Sequence, residues 1–63
     1  MEISNSKLRI GDLVHVINHW HDEIVATGIY MGLTHYEDCV KILLDSSEIE
    51  EFDLVFYYLE KLN

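Results

Sequence analysis

The 63-residue chain is predicted to be a small, mainly β domain whose short strands wrap into a thin barrel, and three observations point there. Val40, Ile42 and Leu44 alternate with Cys39, Lys41 and Leu43, the period-two pattern of a strand with one face buried. Leu13-Val14-His15-Val16-Ile17 follows a Gly11-Asp12 turn and is rich in β-branched residues, with Val14 and Val16 one pleat apart. Gly28 interrupts the long apolar run from Ile24 to Leu33, where a missing Cβ allows the bulge or bend that turns a barrel corner.

Taken in order, residues 1–7 are polar and aperiodic and read as a flexible lead-in, so residues 8–63 form the single expected domain. The first strand runs from Leu13 to Ile17. Asn18 to Glu23 is a polar loop holding His19, Trp20 and His21. Ile24 to Leu33 is the second strand, Thr34 to Asp38 a hairpin connection, and Cys39 to Leu44 the third strand. Asp45-Ser46-Ser47-Glu48 is a tight turn that returns a fourth strand from Ile49 to Asp53. Ile49 and Phe52 cannot share a strand face, so either a bulge intervenes or only one of them is core.

Two readings compete for the C-terminus. Ser47 and Glu50 have the form of a capping box, and Ile49, Phe52, Val55, Phe56, Leu59 and Leu62 follow helical spacing; this gives a three-stranded sheet plus a C-terminal helix, an α+β domain. Val55-Phe56-Tyr57-Tyr58 opposes it, because β-branched and aromatic side chains lose freedom in a helix. The favoured reading is a fourth strand, a short helical turn and a short fifth strand.

Composition narrows the function classes. A chain this short buries only about 60% of the surface its unfolded form exposes, so the core is thin. Twelve acidic against four basic residues give a net charge of −8, which repels phosphate backbones and anionic bilayers. Direct nucleic-acid binding is therefore not expected. No apolar run approaches the length of a membrane span, and Glu2 stands where a signal peptide would be basic, so the expected location is the cytoplasm. Cys39 is the only cysteine, which excludes an internal disulfide and a zinc site built on paired cysteines.

The order of these features resembles that of a known group. Gly11-Asp12-Leu13-Val14-His15-Val16, the glycine-broken second strand, Val40-Lys41-Ile42-Leu43-Leu44-Asp45, Glu48-Ile49-Glu50-Glu51-Phe52 and Tyr58-Leu59-Glu60-Lys61-Leu62 are similar to small SH3-like barrel proteins of tailed bacteriophages. The similarity spans residues 10–62. It implies a five-stranded SH3-like barrel with a helical turn before the last strand, and it implies no particular activity, because one fold hosts many. Ser46-Ser47 stands where such a hairpin usually carries a glycine, and the loop from Asn18 to Glu23 is outside the shared pattern.

No catalytic constellation is legible. The chain has no glycine-rich phosphate loop and no nucleophile elbow, and Cys39, on the face opposite Val40 and Ile42, reads as an incidental thiol. The chain is therefore read as a binding protein and not an enzyme, with no cofactor. His15, His19, His21 and Asp22 could converge on a divalent metal if their loop folds back, although their spacing matches no established site.

Aromatics are the stronger lead. Trp20, Tyr30, Tyr36, Tyr57 and Tyr58, with Phe56, exceed what one thin core can bury, and Trp and Tyr are enriched at binding hot spots. Asp45, Glu48, Glu50, Glu51 and Asp53 place five carboxylates within nine residues, suited to a basic partner or to guarding a sheet edge. The expected function is a small acidic interaction module, a phage or viral accessory protein binding a larger host or virion protein in the host cytoplasm. An acidic nucleic-acid mimic that inhibits a basic partner is the first alternative, and a metal-binding domain the second. Sheet edges also offer pairing with a second copy of the chain.

Overall fold

A computed structural model describes residues 8–36 and 38–62; the lead-in, residues 1–7, lies outside them. Five strands form one antiparallel sheet: β1 (Leu13–Asn18), β2 (Glu23–Leu33), β3 (Cys39–Leu44), β4 (Ile49–Asp53) and β5 (Tyr57–Lys61). Their spatial order is β4-β3-β2-β1-β5. Among the described residues there is no helix, and so none long and apolar enough to cross a membrane.

One face of a single sheet cannot bury itself while flat, yet Val14, Val16, Val40 and Ile42 are essentially inaccessible to solvent. The sheet therefore curls, and these residues meet Phe52 and Leu59 inside it. The 11-residue β2 makes the curl possible by pairing with β1 along residues 23–29 and with β3 along residues 28–33. Gly28 sits at the overlap, where a Cβ would collide with the backbone oxygen of Leu43 and approach Ile42 Cγ2 to 2.8 Å. The strand irregularities lie elsewhere, between Val16 and Ile17 in the β1–β2 pairing and between Tyr30 and Gly32 in the β2–β3 pairing. Gly28 thus serves close approach of β3 rather than a bulge.

The barrel expected from the sequence does not close. β4 pairs only with β3 and β5 only with β1, so the two edges meet through side chains instead of backbone hydrogen bonds. Phe52 and Tyr57 make that contact edge to face, with ring centroids 5.3 Å apart. The turn over residues 54–56 explains the separation, because it swings the chain away from β4: Leu54 N–H donates to Asp38 O, and His19 N–H reaches Phe56 O.

The alternative of a C-terminal helix is likewise overturned, and the favoured fourth and fifth strands are present, joined by a turn over residues 54–56 instead of the expected short helical turn. Of the helically spaced set, only Phe52 and Leu59 are buried, whereas Ile49, Val55, Phe56 and Leu62 are exposed. An isolated helical stripe has nothing to pack on here, and β5 instead satisfies the open edge of β1 over Val14 to Asn18. The Ile49 and Phe52 question resolves without a bulge: β4 pairs regularly with β3, Phe52 faces the core, and Ile49 faces out opposite Leu43. In the β3–β4 turn Ser47 takes the left-handed conformation, φ 73°, which a glycine usually supplies in a hairpin of this kind.

Candidate functional site

The polar loop expected between the first two strands is a tight turn over residues 19–22, since Asn18 and Glu23 are themselves paired strand residues. Asn18 organises it. Its side-chain oxygen accepts from Trp20 N–H at 2.6 Å and its backbone oxygen from Asp22 N–H at 2.8 Å, with Asp22 in the left-handed region.

β5 completes the site from 36 residues away in sequence. Asn18 pairs with Tyr57 and Ile17 with Tyr58, so adjacent tyrosines leave the strand on opposite faces. Tyr57 goes inward to Phe52. Tyr58 goes outward, its hydroxyl donating to Asp22 Oδ1 at 3.1 Å and its ring lying 5.0 Å from that of His19. Burial pushes the Tyr58 hydroxyl above its ordinary pKa, helped by the hydrogen bond to Asp22 and by the charges of Asp22 and Glu60. It remains a neutral donor across physiological pH.

Ile17 lies beneath this arrangement. It is buried yet stands apart from the core cluster, and its cross-strand neighbours are Ile24 and Tyr58. Ile17 therefore supports the turn from beneath, paired with the half-buried Tyr58. Trp20 projects at its tip with 74% of its surface exposed, and Phe56 and Val55 are exposed in the neighbouring turn that His19 grips.

The other aromatic candidates are placed elsewhere. Tyr30, opposite Ile42, packs half-buried against the core, and Tyr36 is exposed in the β2–β3 hairpin. Sequence reasoning names His19 only as a possible metal ligand and Phe56 only among the surplus aromatics, and it does not place the two together. The pairing of β5 with β1, which brings them together, leaves no local mark on the sequence.

The acidic run is dispersed by strand alternation. Glu48 lies in the β3–β4 turn near Ser46, Glu51 faces Lys41, Asp53 faces Cys39, and Glu50 points to the opposite face. Burial pushes the Cys39 thiol up, and Asp53, Glu51 and Asp38 push it further, so it is a poor nucleophile at neutral pH. His15 and His19 diverge as well. His15 Nδ1 bonds Thr27 Oγ1 at 2.8 Å while His19 lies against Tyr58, and no group of three metal-ligating side chains exists among the described residues.

Comparison with known proteins finds no family model, no curated protein and no solved structure that matches the chain.

Proposed function

We propose that this chain is a small acidic protein–protein interaction module that docks on a larger protein through the patch formed by Trp20, His19, Tyr58 and Phe56. One observation carries the reading: the frame on which Trp20 stands is ordered before any partner arrives. Tyr58 is fixed by Asp22 and by His19, the turn is fixed by Asn18, and Trp20 is left facing solvent. Large aromatic area held rigid loses little entropy on docking, which is why such residues dominate binding hot spots.

Other features agree with binding rather than catalysis. The raised Cys39 thiol and the divergent imidazoles supply neither a nucleophile nor an activated base. The mimic reading draws less support, because Glu50 and Glu51 face opposite ways and Lys41 offsets Glu51. The strand order and the short link from β4 to β5 support an SH3-like assignment of the fold. The reading of a phage or viral accessory protein acting on a host or virion partner in the host cytoplasm rests on the resemblance of residues 10–62 to small phage proteins and not on the fold, since one fold hosts many activities.

The test places a photo-crosslinking residue at position 20 and, separately, at position 46 on the far turn, in cells that make the protein. A partner trapped at 20 but not at 46, and lost when Tyr58→Ala is added to a chain that still folds, supports the patch. Equal trapping at both positions, or trapping indifferent to Tyr58, refutes it.

A further inference from the structure

A second surface lies on the convex face, away from the aromatic patch. Leu13 is opposite Ile29, Ile29 opposite Leu43, and Leu43 opposite Ile49. Cross-strand partners share a face, and these alternate with the inward Val14, Gly28, Ile42 and Leu44, so all four point outward. Leu62, whose N–H donates to Leu13 O, extends the row at β5. An apolar ribbon thus crosses β1 to β4 and continues to Leu62, just past the end of β5. It is not covered: Leu13, Ile49 and Leu62 are 37%, 57% and 40% exposed. Continuous exposed apolar surface of this kind marks an interaction site more often than chance.

The middle of the ribbon is hollowed. A cleft of about 260 Å³ opens between Leu13, Ile29 and Leu43, and Asp45 at its lip is the one charged residue lining it among the described residues. That volume is below the range of small-molecule sites, so it suits an inserted side chain rather than a whole ligand.

We infer that this ribbon binds a basic amphipathic helix of a partner protein, one apolar side chain entering the cleft and a lysine or arginine beside it meeting Asp45. Spacing favours a helix. Adjacent strands stand roughly 4.8 Å apart, close to the ~5.4 Å pitch at which a helix repeats its apolar face; an extended peptide repeats only every ~6.6 Å. The three neighbouring strands that flank the cleft, β1, β2 and β3, span roughly 10 Å, about two turns of helix, a stretch short enough for a straight helix to keep contact on the curled sheet. Charge decides between occupants. The chain carries −8, with Asp45 and Glu48 in the turn at the ribbon's end, while Glu51, on the same face as Ile49, is offset by Lys41 opposite it. A basic segment is attracted to that rim, whereas a second copy would bring eight further negative charges against it.

The probe is a synthetic Leu/Lys peptide of roughly 14 residues with leucines on one helical face, titrated into the isotopically labelled full chain at physiological salt. Saturable binding is expected, with the largest amide shifts around Leu13, Ile29, Leu43 and Ile49. Ile49→Asp and Asp45→Asn should each weaken it by about tenfold. Glu23→Gln, which removes an acid from the other end of β2, and Trp20→Ala, which alters the aromatic patch, should each leave it unchanged, so this surface and the patch fail or survive separately. Urea midpoints confirm that each variant is folded. Equal binding of the Leu/Glu counterpart, shifts confined to the Trp20 and Tyr58 region, or equal loss with Glu23→Gln overturns the inference. A concentration-dependent dimer abolished by Ile49→Asp overturns it too, in favour of a second copy as the occupant.

Discussion

Tyr58 and Asp22, 36 residues apart, are joined by a hydrogen bond of 3.1 Å that ties the last strand to the first hairpin turn. Removing the donor with Tyr58→Phe should lower the urea midpoint. It should also remove a pH dependence. The folded-state pKa of Tyr58 is raised, so its contribution is complete below the ordinary value of about 10, and is lost as pH rises through the higher folded value, because the unfolded chain then holds fewer protons. The difference in stability between wild type and Tyr58→Phe should therefore shrink above pH 10, as urea titrations from pH 8 to strongly alkaline buffer would read; a constant difference refutes the assignment.

Gly28→Ala tests the close approach of β2 and β3. The added methyl meets the Leu43 backbone oxygen, which cannot rotate away. A loss of about 1–3 kcal/mol is expected in chemical denaturation, as for an overpacked core. Gly11→Ala tests the other requirement separately, since its φ of 105° is one that an L side chain rarely adopts while its surroundings are open, so the same denaturation should show a loss from backbone strain alone.

Ser47→Gly should stabilise the fold. A left-handed L-residue costs roughly 1–2 kcal/mol, against about 0.5–1 kcal/mol for the freedom that glycine loses on folding. The net expectation is a gain of about 0.5 kcal/mol, measurable as an increase in the urea midpoint with an unchanged slope.

Phe52 and Ile49 distinguish the strand from the helix in the C-terminal third. Phe52→Ala should cost about 3 kcal/mol, while Ile49→Ala should stay within about 0.5 kcal/mol. Comparable losses at both positions would favour the amphipathic helix, where the two share a face.

Much of this architecture is legible in the sequence because it is local. Alternation at Cys39–Leu44, the Gly11-Asp12 turn and the β-branched run after it each mark a strand by its own residues. The misreadings share a cause. The helical spacing from Ile49 to Leu62 that offered the rival reading is an accident of one buried residue in β4, Phe52, and one in β5, Leu59, on either side of a turn. Closure was expected where side chains alone bridge the edges. The patch was half legible: exposure of Trp20 follows from its polar turn, but the role of His19 depends on which strand becomes the neighbour of β1. Nothing local encodes that choice. The convex ribbon was hidden likewise, since Leu13, Ile29, Leu43 and Ile49 align only once three registers are set.

β5 has a different standing from the other strands. β1 to β4 form a meander of hairpins, each closed over a short loop, whereas β5 pairs with a strand near the beginning of the chain and closes a far longer one. The same docking supplies Tyr58 to Asp22 and sets His19 against Phe56. The Trp20 patch therefore exists in full only while the last strand is home, and a partner that grips it raises the free energy needed for β5 to detach. Recognition and the hydrogen-exchange protection of the C-terminal strand are one equilibrium seen from two sides.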